Sequence, residues 1–249
     1  MKYVLSNWKM YVGGNRAGVL LGEVQARLRE RFPSGPVTGV SIVLCPSFVS
    51  LVPLRAMSNR GSYRSGPRIA TGNPRAPSRA RSPTMLRGLV DYVLVGHSER
   101  RAAGDGEEQI ARKVAAAADA GLTPILFVGE DEPTERAIDR TAQRLSAGLA
   151  RVDPSKHEVL VVYEPTWAIG AREAAPAEHV RAVAEQLKSR LAELGASEPR
   201  VIYGGTVNGD NVDRFAALEV LDGVGATRAG LDPDEFLRIV DRVAAAGGG

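Results

Sequence analysis

The sequence predicts an α/β protein folded as a single-domain (β/α)8 barrel. Short apolar runs alternate with longer amphipathic segments about eight times, and no linker separates the units. Strands that alternate with helices pair in parallel, because each crossover helix must cover a face of the sheet. The length of 249 residues also fits one such barrel. A doubly wound open sheet is the alternative architecture. We expect one domain over residues 1–249, with a frayed tail near 244–249.

The strands are expected where short runs of Val, Ile, Leu and Tyr occur. They fall at 3–5, 41–44, 68–70, 92–95, 123–128, 159–163, 201–203 and from 220–221 onward. The helices are expected where apolar residues recur every three or four positions, as Leu20, Val24 and Leu28 do. They fall at 16–31, 47–58, 107–120, 134–151, 177–194 and 233–243.

Composition narrows the class of protein. A hydrophobic content of 44% is ordinary for a globular chain. No apolar run approaches the ~20 residues that span a membrane, so no membrane partner is expected. The N-terminal apolar stretch is too short for a signal peptide. Cys45 is the only cysteine and lies in an apolar run, so we expect a buried thiol, no intrachain disulfide and a cytoplasmic location.

The net charge of +3 is unevenly distributed. No acidic residue occurs between Glu30 and Asp91, whereas nine arginines do: Arg31, Arg55, Arg60, Arg64, Arg68, Arg75, Arg79, Arg81 and Arg87. Such a run can form an anion-binding or nucleic-acid surface. This one has few aromatic residues and matches no nucleic-acid motif. We therefore interpret it as a solvated loop and expect no nucleic-acid partner.

The segment from Tyr163 to Gly170, Tyr-Glu-Pro-Thr-Trp-Ala-Ile-Gly, is the one around which the chain is organised. A buried apolar strand stops there on Glu164, and a proline then ends the strand. An unpaired carboxylate is costly at the exit of a buried strand. A catalytic base beneath a lid formed by the following residues explains its presence. A surface glutamate at a strand end is the structural alternative.

Other polar residues follow other predicted strands. Asn7 and Lys9 follow the first strand, and Gly-His-Ser-Glu-Arg-Arg at 96–101 follows the fourth. Gly204, Gly205 and Thr206 follow the seventh. In a (β/α)8 barrel the carboxyl ends of the strands meet at one mouth, which carries the active site. We therefore expect these groups to converge with the carboxylate that follows the sixth strand.

This set of groups suits proton abstraction next to a carbonyl. Glu164 is the candidate base, and His97 and Lys9 are candidate electrophiles. Asn7 can position the lysine or donate to a substrate oxygen. His97 opens a predicted short helix, whose N-terminus disfavours a protonated imidazole, so we expect a neutral hydrogen-bond donor. Glu99 is placed to hold the lysine.

Three glycines, Gly170, Gly204 and Gly205, allow backbone N–H groups to approach a phosphate closely. The sequence contains no metal-ligand spacing of Cys and His, no Gly-x-Gly-x-x-Gly and no Walker loop. We therefore expect neither a metal nor another cofactor.

Four segments resemble the signatures of the triosephosphate isomerase family. They are Asn-Trp-Lys-Met at 7–10, Gly-His-Ser-Glu-Arg-Arg at 96–101, the octapeptide at 163–170 and Tyr-Gly-Gly-Thr-Val-Asn at 203–208. They occur in the family's order and span nearly the whole chain. The resemblance implies a TIM barrel that interconverts dihydroxyacetone phosphate and D-glyceraldehyde 3-phosphate, as part of glycolysis and gluconeogenesis. It also implies a phosphorylated sugar as the substrate and a homodimer.

The resemblance also implies roles for individual residues. Glu164 moves the proton between two carbons, and His97 serves the two oxygens of an enediol(ate). Asn7 and Lys9 bind substrate, the lysine stabilising negative charge. Ser98 and Glu99 match the residues that support the histidine and the lysine. The rest of the expected substrate site consists of Gly170, Gly204, Gly205 and Thr206. The segment 165–174 matches a lid that closes over the phosphate.

Two departures from the family pattern affect these expectations. After the third strand, residues 69–86 contain no acidic residue, and only Ser-Pro-Thr-Met-Leu at 82–86 looks like the family. The usual dimer contact is therefore in doubt. After the eighth strand, Thr227 and Arg228 stand where a phosphate-binding glycine pair is typical. Arg228 can bind phosphate as a charged fork, crowd the pocket and select another substrate, or point away.

Two other functions follow from these departures. One is an isomerase of another short sugar phosphate, such as a tetrulose phosphate. The other is a catalytically silent paralogue that binds a partner through its arginine-rich segment. The joint presence of Asn7, Lys9, His97 and Glu164 argues against the silent paralogue, which needs none of these groups.

Overall fold

Eight parallel strands form a closed barrel in chain order, and the last strand pairs with the first. The computed structural model describes residues 1–60, 68–71, 83–134, 136–171 and 173–247. The closure confirms the predicted (β/α)8 TIM barrel. It excludes the doubly wound open sheet, whose two edge strands do not meet.

The strands are β1 (Lys2–Asn7), β2 (Val40–Cys45), β3 (Arg68–Thr71), β4 (Tyr92–Val95), β5 (Thr123–Val128), β6 (Leu160–Tyr163), β7 (Arg200–Tyr203) and β8 (Gly223–Ala226). The helices are α1 (Gly14–Arg31), α2 (Leu51–Arg60), α3 (Ser98–Ala102), α4 (Glu107–Asp119), α5 (Ala137–Gly148), α6 (Ala177–Glu193), α7 (Val212–Ala216) and α8 (Pro233–Ala246). Short 3-10 turns lie at Phe48–Ser50, Pro83–Leu86, Thr166–Ala168 and Ala229–Leu231.

The eighth strand differs from its prediction. It begins at Gly223, not at Val220, because the preceding residues form the turn that follows α7. In that turn the Leu221 N–H donates to the Leu218 carbonyl at 3.0 Å. Helix α7 was not predicted either. At the C-terminus, α8 runs to Ala246, so the first part of the tail expected to fray is helical. Residues 248 and 249 lie outside the described residues, and fraying there stays a prediction.

Alternation along each strand divides the barrel into two buried layers. In β6, Leu160 and Val162 belong to the cluster inside the barrel, whereas Val161 and Tyr163 belong to the cluster between strands and helices. Because both faces are covered, the strands are continuously apolar and lack the polar alternation of a half-exposed sheet. This explains why short runs of Val, Ile and Leu were a reliable signal.

The same alternation orients the residues at the strand ends. Asn7 continues the inward series of β1, and Glu164 continues the inward series of β6. Glu130 lies on the other series, since Leu126 and Val128 of β5 face the helices. The barrel thus directs Asn7 and Glu164 into its mouth and Glu130 toward the helical layer.

Three other predictions concern the surface and the thiol. Cys45 is fully buried, and burial raises the pKa of its thiol. Arg55 of the arginine-rich run lies 3.3 Å from Asp91, whereas four arginines of that run, Arg64, Arg75, Arg79 and Arg81, lie outside the described residues. Of the helices in the described ranges, none has the length and apolar content required to cross a bilayer.

Candidate active site

A carboxylate and an imidazole meet at the mouth of the barrel. Glu164 directly follows β6, and His97 lies between β4 and α3. His97 Nε2 is 3.1 Å from Glu164 Oε1, and the backbone N–H of Ser98 donates to Oε2 at 2.9 Å. The two side chains are only 5% and 6% exposed. Both oxygens of the predicted base are thus engaged, and Ser98 acts on the glutamate through its backbone.

The protonation state of His97 follows from its neighbours. The backbone N–H of Glu99 donates to His97 Nδ1 at 3.2 Å, so the proton of a neutral ring resides on Nε2 and points at Glu164. Burial lowers the pKa of His97; the Glu164 carboxylate opposes this shift and the Lys9 ammonium adds to it. The lowered pKa favours a neutral imidazole that donates through Nε2, and the role of this form in a reaction stays a prediction. Burial is the largest cause of the lowered pKa, and the Glu99 N–H in the first turn of α3, which donates to Nδ1, also favours the neutral ring.

Lys9 is held in a fixed conformation beside this pair. Its φ is +49°, a left-handed backbone conformation that costs of order 1–3 kcal/mol for a residue other than glycine. Asn7 Oδ1 accepts from the Lys9 backbone N–H at 3.0 Å and stabilises the turn. Lys9 Nζ lies 2.8 Å from Glu99 Oε1, which confirms the expected ion pair. The ammonium is therefore paired with a carboxylate and held within the mouth.

The glycine pair after β7 is required by close packing. A Cβ on Gly204 would lie 2.4 Å from Val162 Cγ1, and one on Gly205 would lie 2.3 Å from Tyr203 Oη. The Gly204 N–H donates to the Tyr163 carbonyl at 2.8 Å. This differs from the expectation that both N–H groups face a phosphate, because the Gly204 donor is used to join β7 to β6.

The lid segment contacts residues from two other strand ends. Thr206 Oγ1 donates to the Ala168 carbonyl at 2.7 Å, so this hydroxyl anchors the lid. Gly170 has φ +68°, and a Cβ built on it would lie 3.8 Å from Arg228 Nη2. Within the described part of the chain, no hydrogen bond or ion pair engages the exposed Arg228 guanidinium. Thr227 beside it is half-buried.

Sequence reasoning missed a second buried carboxylate, Glu130, which is 0% exposed. Its Oε1 accepts from Tyr163 Oη at 2.7 Å and from Trp167 Nε1 at 2.8 Å. The same oxygen lies 3.1 Å from His179 Nε2, and Oε2 accepts from Thr141 Oγ1 at 3.0 Å. This network lies behind the mouth, between the barrel and α5 and α6.

A sequence signal for this network was present. Glu130 follows the buried strand β5 after a single glycine, much as Glu164 follows β6. The argument that a carboxylate at such an exit needs a reason applies to both residues. Side chains alternate between the two faces of a strand, and this alternation separates the two carboxylates. Of the two, only Glu164 faces into the barrel.

The assembled mouth combines a carboxylate, a neutral imidazole that donates through Nε2, and an ammonium. Such a set can accept a proton from carbon and stabilise the charge that develops on an adjacent oxygen. Among the described residues, no group of His, Cys, Asp and Glu is placed to hold a metal ion.

Comparison with known proteins agrees with this architecture. Residues 2–243 match the model of the family described as triosephosphate isomerase. The chain is 36% identical to the triosephosphate isomerase of Roseiflexus sp. (strain RS-1) over 94% of each chain. It is 34% identical to that of Synechococcus sp. (strain JA-2-3B'a(2-13)), over 96% of this chain and 95% of the relative. It is 33% identical to the triosephosphate isomerase of Chloroflexus aurantiacus, over 95% of this chain and 97% of the relative. The chain belongs to the triosephosphate isomerase family.

Proposed function

We propose that this protein interconverts dihydroxyacetone phosphate and D-glyceraldehyde 3-phosphate through an enediol(ate). The observation that carries the proposal is the contact between Glu164 and the Nε2 side of a neutral His97, with Lys9 held nearby. The names of the relatives, triosephosphate isomerase in each case, support the same substrate.

In the proposed reaction Glu164 takes a proton from C1 of dihydroxyacetone phosphate. The C–H electron pair forms the C1–C2 double bond, and negative charge moves to O2. His97 donates its Nε2 proton to O2 and recovers a proton from the O1 hydroxyl, while Lys9 stabilises the anion. Glu164 then returns its proton to C2, which leaves an aldehyde at C1. Protons and charge balance, and no other reactant is needed.

The base must change its contacts before it can act. In the structure both Glu164 oxygens have donors, from His97 and from the Ser98 backbone. Substrate binding must therefore displace at least one of these hydrogen bonds to free an oxygen for the C1 proton. We propose that closure of the lid at 165–174 drives this exchange and excludes water.

For the phosphate we propose backbone donors near Gly170 and Gly205, with Thr227 and Arg228 beside them. Gly204 and Thr206 support this site by close packing and by the bond to the lid carbonyl. The Arg228 guanidinium lies next to Gly170, and a guanidinium matches the geometry of a phosphate. In the proposed site the charged guanidinium binds the phosphate, a role that the family's typical glycine pair performs through its backbone N–H groups.

The same arginine supports a second candidate, an isomerase of a four-carbon sugar phosphate. A long side chain where the family typically has glycine changes the shape of the phosphate end of the pocket. Side-by-side kinetics with triose and tetrulose phosphates separate the two substrates. A silent paralogue is supported less well, since every group needed for proton transfer is present and in contact.

We also propose that a second copy of the chain covers one apolar surface. Large hydrophobic side chains are exposed on the segments after β1, β2 and β3, all at the mouth end: Met10, Tyr11, Val49, Val52 and Met85. Sedimentation of the wild type should give a dimer, and Val49→Asp should give monomers. Val19→Asp, at an exposed position on α1, is the matched control and should remain dimeric. A monomeric wild type contradicts the proposal.

Isomerisation in D2O tests the proposed chemistry. Because Glu164 exchanges its proton with solvent before returning it, product formed from dihydroxyacetone phosphate should carry deuterium at C2, detected by NMR. Product without deuterium at that carbon would indicate a direct hydride shift and contradict the role of the carboxylate.

A cytoplasmic location is part of the proposal and rests on the single, buried Cys45.

A further inference from the structure

We propose that His179 is a positioning residue for the catalytic base, and that it acts through Glu130. The inference rests on the proposed isomerase function for its kinetic consequences, whereas its structural consequences can be measured without any substrate. It begins from the buried Glu130 carboxylate, which the proposed chemistry does not use.

Glu130 holds the chain on both sides of the base. Tyr163 immediately precedes Glu164, and Trp167 follows it by three positions. The hydroxyl of Tyr163 and the indole N–H of Trp167 both donate to Glu130 Oε1, at 2.7 and 2.8 Å. The Thr166 backbone N–H also donates to the Glu130 carbonyl at 3.0 Å. A movement of this carboxylate would therefore shift the segment that carries Glu164.

His179 brings a third donor to the same oxygen from a separate element. It lies in the first turn of α6, just beyond the lid, and its Nε2 is 3.1 Å from Glu130 Oε1. Its ring also packs edge-on against Trp167, at 5.8 Å between centroids, and in a tilted arrangement against Tyr163, at 6.4 Å. His179 thus links the start of α6, which follows the lid, to Tyr163 and Trp167, which flank the base.

The Glu130 carboxylate stays ionised because these hydrogen-bond donors stabilise its charged form. Burial would raise the pKa of Glu130, but hydrogen bonds from Trp167, Tyr163 and His179 outweigh it, so that the pKa falls below its usual value. The neighbouring cation, Arg144, pairs with Asp131 at 2.7 Å. A buried charge that loses a donor is costly, and the remaining contacts rearrange to reduce that cost. Removal of the imidazole therefore loosens Tyr163 and Trp167.

A looser segment affects turnover more than binding. Misplacement of a reacting group by ~1 Å can lower a rate by as much as 10²-fold. Most of the phosphate site that we propose, by contrast, lies at Gly205, Thr227 and Arg228, which make no hydrogen bond to the Glu130 network among the described residues. We therefore expect the loss to appear in kcat, with KM nearly unchanged.

The test compares His179→Leu with His179→Gln. Leucine removes the donor, whereas glutamine keeps an N–H that can reach Glu130. His157→Leu is the matched control, because this histidine lies in the turn after α5, away from the network. We expect His179→Leu to lower kcat about 10-fold with KM within ~2-fold, and glutamine to restore at least half of the wild-type kcat. The control should match the wild type.

Hydrogen exchange of the peptide spanning 164–171 gives a readout that does not require turnover. Exchange should be about 10-fold faster in His179→Leu than in the wild type, and near the wild-type rate in His179→Gln. Wild-type exchange in His179→Leu overturns the proposal, as do leucine and glutamine variants with equal defects. A folded wild type without isomerase activity contradicts the proposed function alone, because the exchange comparison still decides the role of His179.

Discussion

His97 Nε2 and Glu164 Oε1 lie 3.1 Å apart across the mouth of the barrel, although β5 separates the strands that carry them. The contact joins the proton donor and the base of the proposed reaction. Because the Glu99 N–H occupies Nδ1, the ring can present only Nε2–H to the mouth while it is neutral. The tautomer needed to serve a substrate oxygen is thus set by the backbone of α3.

Stability should depend on pH through His97. Its pKa is lowered in the folded protein, chiefly by burial, relative to about 6.5 in an unfolded chain. The unfolded state therefore binds more protons between the two values, and the free energy of unfolding rises with pH there. The contribution is complete above about pH 6.5 and is lost as pH falls toward the folded-state pKa.

We expect His97→Gln to lose less stability than the wild type between pH 7 and pH 5. One titrating group contributes at most about 1.4 kcal/mol per pH unit. Urea unfolding at several pH values in this window measures the difference. Parallel curves for the two proteins would show that burial does not disfavour the charged imidazole.

Gly129→Ala should displace the base. A Cβ at this position would lie 2.0 Å from the Glu164 carbonyl oxygen and 2.5 Å from its carbonyl carbon, so backbone must move. We expect a stability loss of about 1–3 kcal/mol, from overpacking, and a lower kcat. Gly22→Ala is the control, because open space surrounds this glycine within α1. It should be neutral or stabilising by about 0.5–1 kcal/mol. Equal effects of the two substitutions contradict the packing argument.

Arg228→Ala should weaken binding of the phosphorylated substrate. A hydrogen bond to a charged group is worth about 1.5–3 kcal/mol, which corresponds to a KM increase of roughly 10- to 100-fold. Arg29→Ala provides the comparison, since Arg29 is exposed in the last turn of α1, at the opposite end of the barrel. If both variants keep the wild-type KM for triose phosphate, Arg228 points away from the phosphate.

Much of the fold could be predicted because the barrel buries both faces of its strands. Strands such as β5 and β6 are therefore uninterrupted apolar runs that are easy to find in the sequence. The eighth strand, Gly-Val-Gly-Ala, carries little of this signal, since its first glycine is needed for contact with β1. A Cβ on Gly223 would lie 2.0 Å from the Tyr3 carbonyl oxygen. Long-range packing of this kind leaves no local pattern.

The candidate site was predicted to the extent that its residues follow strand ends. Asn7 and Glu164 face the mouth because they continue the inward series of their strands. His97 follows the outward series of β4, and it reaches Glu164 only after the chain turns at Gly96, whose φ is +77°. Contacts between loops were not predictable in the same way. The bond from Thr206 to the lid and the position of His179 beside Glu130 depend on where α6 and the lid pack, and neither follows from spacing along the chain.

The most direct test of the account is a coupled isomerase assay with D-glyceraldehyde 3-phosphate, run beside a four-carbon sugar phosphate. General-base catalysis typically contributes 10²–10⁴-fold, so Glu164→Gln should lower kcat at least ~10²-fold and affect KM less. Fast turnover of the triose by the wild type, lost in this variant, is the predicted result. Turnover that is equal in the two folded proteins, or that favours the four-carbon substrate, would contradict a triosephosphate isomerase that uses Glu164 as its base.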